Sequence, residues 1–185
     1  MVTVEADQVR VESRLAGGQV DCPSCSGVLR PWGWARARRI HGLAGRLRPR
    51  RARCGRCRGT HVLLPVTVLA RRAYAAEVIG AALTARAGGR GHRPIGVALG
   101  VPAATVRGWL RVMTGRLGSV RVFLLRVAAR AGVDLAVPDA AGSPWRDLLN
   151  ALDAARQAVA CSAGRLLAPG WPVSPTGSGG NTSCL

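Results

Sequence analysis

The chain has 185 residues; 48% are hydrophobic but only 4% aromatic, and 27 basic residues stand against 9 acidic ones. That length suits one ordinary domain, or two small ones with a tail, and the scarcity of Phe and Tyr argues against a large aromatic core. The longest apolar stretch, Ala73 to Ala85, is too short to span a bilayer and contains Glu77, so a membrane protein is not expected.

Every basic residue is Arg. With abundant Ala, Gly and Pro, this is what GC-rich coding DNA produces, so the choice of Arg over Lys reads as mutational bias. Placement says more. Between Cys22 and Val133 there are 22 Arg and one acid, Glu77, whereas the remainder holds 5 Arg and 8 acids. So much like charge in one segment repels itself unless a polyanion is near. Nucleic acid is the default polyanion for a basic folded chain. An anionic membrane surface is the weaker rival, because no long amphipathic basic helix appears.

In chain order, residues 1–20 read as a disordered lead-in. The acidic start, Met1 to Asp7, has no apolar run and so no secretory signal. A cytoplasmic location is expected, where paired cysteines mean metal or redox chemistry more often than disulfides.

Residues 21–65 carry Cys22, Cys25, Cys54 and Cys57, spaced C-x2-C, 28 residues, C-x2-C. Each pair can form a tight knuckle that aims two thiolates at one point, and two knuckles supply the four sulfurs of a tetrahedral zinc. Gly27 and Gly59 each follow the second thiolate of a pair by two residues. They are expected to supply positive φ where the chain leaves the knuckle. Short extended runs at 28–32, 50–53 and 62–64 complete the layout of a zinc ribbon. Such a segment is too small to fold unaided, and a structural metal supplies the missing stability. A thioredoxin-like redox pair would need a βαβ context, which is lacking; reduced, unligated thiols are the other alternative. His41 and His61 are expected to be exposed or to donate to a ligand, since four Cys complete the shell. Trp32-Gly33-Trp34 reads as a base-stacking platform or as an indole covering the metal site; the second is the plainer expectation.

Residues 73–114 read as three helices. In the first, Ala75, Ile79, Ala82 and Leu83 share one face. The second starts near Pro94 and buries Ile95 and Leu99, with Gly96 permitting a close crossing. Gly100 is the left-handed turn residue and Val101 plugs the core. The third, from about Ala103 to Met113, buries Val106, Trp109, Leu110 and Met113. Its other face offers Ala103, Ala104, Thr105, Arg107 and Arg111. This order is that of a helix-turn-helix, in which the N-terminal part of the third helix enters the major groove. Arg107 and Arg111 suit guanine or phosphate, and the two Ala permit close approach. Arg50, Arg51 and Arg53 of the ribbon would hold phosphates and set register. A plain helical hairpin with a solvated Arg face is the alternative.

Residues 115–163 read as two further helices, one at 116–131 and one from Pro144 to about Ser162, which pack on the DNA-binding unit or form a homodimer contact. Residues 164–185 read as an irregular tail. The fold class expected is α+β, a small N-terminal β zinc ribbon followed by a mainly α-helical helix-turn-helix domain.

The run Cys22-Pro23-Ser24-Cys25, with Arg50 to Pro65, resembles the N-terminal zinc ribbon of bacterial insertion-sequence transposases. The segments Glu77 to Leu83, Gly91-His92-Arg93, Thr105 to Arg111, Gly164 to Pro169 and Asn181-Thr182-Ser183 are similar to a family of uncharacterised bacterial helix-turn-helix proteins. The resemblance implies a transposase-related DNA-binding protein and no particular activity. A transposase of the usual kind needs three acids on an RNase H-like fold holding two divalent metals. Here Asp134, Asp139, Asp147 and Asp153 crowd together without any βαβ segment. No catalysis is expected. The function expected is double-stranded DNA binding without catalysis, as a transcriptional regulator or a stand-alone relative of a transposase DNA-binding region. An RNA-binding module and a protein-interaction adaptor are the alternatives.

Overall fold

The computed structural model describes residues 1–131 and 139–167. The chain forms two compact units, Met1–Ala81 and Ala82–Leu185. The architecture is α+β, with a small sheet and a cluster of four cysteines in the first unit and helices in the second.

The first unit is built on a four-stranded sheet of order β1-β6-β5-β2, where β1 is Val2–Val4, β2 is Leu29–Trp34, β5 is Arg50–Cys54 and β6 is Thr60–Pro65. Neighbours are antiparallel except β1, which runs parallel to β6 in the register Val2↔Leu63 to Val4↔Pro65. A separate hairpin pairs β3 (Arg38–Arg39) with β4 (Arg46–Leu47).

The lead-in expected to be disordered is instead ordered. Residues 8–16 form helix α1, Gln8–Ala16. The Asp7 carboxylate accepts from the N–H groups of Val9 and Arg10, as an N-cap does. One turn apart, Val11 and Leu15 enter a core with Val4, Val20, Leu29, Ala52 and Leu63. The physical reason is non-local. Three residues of strand and a nine-residue helix are too short to stand alone. They fold because the β6 edge and the apolar face of the sheet are waiting for them. Ion pairs tie α1 down further, Arg14 to Glu5 at 2.8 Å and Arg50 to Glu12 at 2.7 Å.

A second core in this unit joins Ile40, Leu64, Val68 and Ala75, with Leu43, Leu47 and Val78 against it. It lets β6 serve two clusters, Leu63 one and Leu64 the other, as strand alternation requires.

Helix α2 spans Ala76–Ala87, and Ala82 and Ala87 near its end are buried. Helices α3 (His92–Leu99) and α4 (Ala103–Thr114) follow, packed on each other. Helices α5 (Leu117–Arg130) and α6 (Pro144–Leu167) pair through Ala128, Ala155 and Ala158, flanked by Leu124 and Val127. Small residues on both helices permit a close approach. Helix α6 runs past the expected end near Ser162 into the segment expected to be irregular. Gly164 alone does not break it, and the next strong breaker in the sequence is Pro169. The rest of the expected tail, 168–185, lies outside the described residues, as does Asp134. Among the described residues no helix is long and apolar enough to cross a membrane.

Candidate metal centre and basic helix face

The two cysteine knuckles have the same backbone form. In the first, the Cys22 N–H donates to Gly27 O at 2.7 Å and the Ser26 N–H to Cys22 O at 2.8 Å. In the second, the Cys54 N–H donates to Gly59 O at 2.9 Å and the Arg58 N–H to Cys54 O at 3.1 Å. Positive φ falls on Ser26 (55°) and Arg58 (63°), one residue earlier than the glycines expected to take it. Gly27 serves closeness instead. A Cβ there would lie 2.8 Å from Arg56 Cβ and 3.0 Å from Cys54 Sγ. No side chain fits between the knuckles.

The strand register brings the pairs together, because Leu29 at the exit of the first knuckle lies opposite Cys54. All four sulfurs lie within 4.8 Å of one another. Cys22 and Cys57 Sγ are 3.7 Å apart, and Cys25 and Cys54 Sγ 3.5 Å. A tetrahedron of sulfurs with metal bonds of about 2.3 Å has edges of about 3.8 Å. The donor set therefore fits a tetrahedral metal ion, and no disulfide joins these four cysteines.

Electrostatics favour a cation. The Cys57 N–H, foremost, and then that of Arg56 hold the Cys54 thiol down to about 6 from an ordinary 9.0. The Ser24 N–H leads the same effect at Cys22. At Cys57 the Gly59 N–H favours the thiolate, but the sulfurs of Cys25, Cys54 and Cys22 push its pKa up to about 11. Crowded sulfurs cannot all ionise together until a positive ion neutralises them.

His61 proves to be the buried second-layer partner, its Nε2 standing 3.4 Å from Cys22 Sγ. His41 is exposed and lies against Tyr74, with ring centroids 5.4 Å apart. Neither Trp32 nor Trp34 covers the metal site, contrary to the plainer expectation. Both are exposed on edge strand β2, and Trp34 pairs with Arg50, the end of β5 away from Cys54. The core against Cys22 and Cys54 is made instead by aliphatic residues, among them Val20, Leu29 and Ala52.

The ribbon arginines divide. Arg50 is enclosed, paired with Glu12, donating to Gly33 O at 2.7 Å and lying 4.7 Å over the Trp34 ring. It braces the ribbon. Arg53 lies 4.6 Å over Trp32 and its Nε donates to Arg58 O at 3.1 Å. Arg51, two residues earlier on the same face of β5, is half-buried. Sequence reading misses the bracing role of Arg50 because Glu12 belongs to α1, which has no independent signal.

In the second unit, Gly100 takes the left-handed conformation (φ 61°), and its neighbour Val101 is buried and donates to Gly96 O at 2.9 Å. A Cβ on Gly96 would sit 2.7 Å from Val101 O, so α3 and the start of α4 meet backbone to backbone. Val106, Trp109 and Leu110 are buried on α4, with Met113 half-buried. Ala104, Arg107 and Arg111 are exposed, and Ala103 and Thr105 half-exposed. Arg107 and Arg111, one turn apart, line a groove with Ala104 and Gly108 on one side and a hollow with Arg86 and His92 on the other.

No curated protein and no solved structure matches the chain. Residues 22–107, from the first of the four cysteines to Arg107, are similar to a domain of unknown function (DUF6431), a stretch that takes in the four cysteines, α3 and the first five residues of α4.

Proposed function

We propose that the chain is a non-catalytic double-stranded DNA-binding protein, in which α3, the Gly100 turn and α4 are a helix-turn-helix and the four cysteines hold one structural zinc. The observation that carries this reading is the α4 face. Exposed Ala104, Arg107 and Arg111 follow one another along one face of α4, from its first turn to its last, while Val106, Trp109 and Leu110 on the opposite stripe are buried. A helix with small residues and Arg107 in its N-terminal half, and Arg111 one turn further on, suits the major groove, where Arg pairs with guanine and Ala tolerates close approach. Arg51 and Arg53 of the ribbon supply phosphate contacts. Zinc is the metal best suited to a closed four-thiolate set, and such a site, with no open position, builds a surface and does no chemistry. The likeness of the ribbon to insertion-sequence transposases supports a role as a transcriptional regulator or a relative of a transposase DNA-binding region.

The test is duplex DNA binding across a salt series. Affinity should fall steeply with salt, by a slope of about 0.9 per phosphate neutralised. Arg107→Ala with Arg111→Ala should weaken binding and lower that slope by about 1–2. Affinity indifferent to salt, or indifferent to the double substitution, would overturn the reading. Metal analysis should give about one zinc per chain, lost in Cys54→Ser.

A further inference from the structure

The ribbon carries an exposed indole that neither the core nor the metal centre uses. Trp32 is 51% exposed, on edge strand β2. A register shift between Pro31 and Trp34 contains Gly33, whose φ is +82° and beside which a Cβ would meet nothing within 4 Å. The bulge turns the indole out at the sheet edge and leaves open space next to it.

Its position is nevertheless fixed. The Arg53 guanidinium lies over the ring at 4.6 Å, and Arg53 Nε is held by Arg58 O. Arg58 is the positive-φ residue of the second cysteine knuckle. A chain of contacts therefore runs from the metal centre through Arg58 and Arg53 to the indole. Around it the charge has one sign. Arg30 lies directly across the strands from Arg53, and the sequence has no carboxylate between Asp21 and Glu77.

We propose that Trp32, backed by Arg53, is a stacking platform for an unpaired base of DNA. A flat, immobilised π surface beside arginines is what single-stranded nucleic acid requires, a ring to stack on and cations for the phosphates. Bases inside a duplex are already stacked and cannot use it. The platform thus recognises melted, flipped or single-stranded DNA, a ligand different from the groove proposed for α4. The inference rests on the proposed DNA-binding reading only for the chemical class of the ligand.

The test uses the zinc-loaded full chain and three labelled probes of equal length, on the order of 12 nucleotides: oligothymidylate, an abasic deoxyribose-phosphate strand and a duplex. Oligothymidylate should bind about 5- to 100-fold more tightly than the abasic strand, and the preference should persist as salt rises. Trp32→Ala should reduce oligothymidylate to the abasic level and leave duplex affinity and zinc content unchanged. Trp32→Phe should restore most of the preference. Equal binding of the abasic strand by the unaltered chain, or an undiminished preference in Trp32→Ala, overturns the proposal. Failure of the unaltered chain to bind the duplex, with its base preference intact, would overturn the groove reading and leave the platform standing.

Discussion

At the residue scale the four-cysteine cluster is shaped as much by absent side chains as by the four thiols. Gly27→Ala places a methyl 2.8 Å from Arg56 Cβ and 3.0 Å from Cys54 Sγ, so the knuckles must part. A loss of about 1–3 kcal/mol is expected in denaturant unfolding of the metal-loaded chain, with weaker metal retention. Protons compete for the same sulfurs. The thiolate of Cys54, its pKa lowered from 9.0 to about 6, is favoured by the fold above pH 9, progressively less as pH falls, and not at all below about 6. Metal release to a chromophoric chelator should therefore increase as pH falls. Release already complete at neutral pH would contradict the ligand set. The C-x2-C spacings make these four residues legible in the sequence. That Gly27 gives room rather than positive φ is not legible there, because the atoms it would strike come from the other knuckle, 29 residues along the chain at Arg56.

At the element scale, α1 is the part most easily underestimated. Leu15 is completely buried, so Leu15→Ala should cost about 2–5 kcal/mol, as for any core leucine, and thermal unfolding measures it. A disordered lead-in would instead leave stability unchanged. In the α3–α4 pair, adjacent residues give opposite expectations. Gly96→Ala drives a methyl against the Val101 carbonyl and should destabilise the second unit by about 1–3 kcal/mol and weaken duplex binding. Val97, 86% exposed, should tolerate Ala within about 0.5 kcal/mol. Helices α2 to α5 are legible to within a few residues because apolar period, Pro94 and the glycines at 88–89 and 100 all point the same way. Helix α1 is not, since its nine residues gain their stability from a sheet assembled by later sequence.

At the scale of the whole molecule, charge is the dominant fact. With 22 Arg and one acid between Cys22 and Val133, self-repulsion lowers the stability of the compact state. A soluble polyanion that binds only the folded chain should raise it by mass action. Heparin in excess should lift the midpoint of thermal unfolding by on the order of 5 °C at low salt, an effect that vanishes at high salt. An unchanged midpoint at low salt would mean that the arginines do not act together as an anion-binding surface.

Local spacing is enough to specify the metal quartet, the α+β order of ribbon then helices, and the buried stripe of α4. Each knuckle and each helical stripe depends on residues a few positions apart, and such short-range patterns are legible even where, as between Cys25 and Cys54, 28 residues separate two of them. Long-range packing was needed to settle that residues 1–20 complete the ribbon, that Arg50 braces Glu12 and Trp34 whereas Arg53 backs Trp32, and that Trp32 and Trp34 face solvent and not the cysteine cluster. Those outcomes hang on strand register and on pairing between segments distant in the chain. A one-residue shift in register turns every side chain to the other face, and nothing local to Trp32 or Arg50 encodes which face it will be.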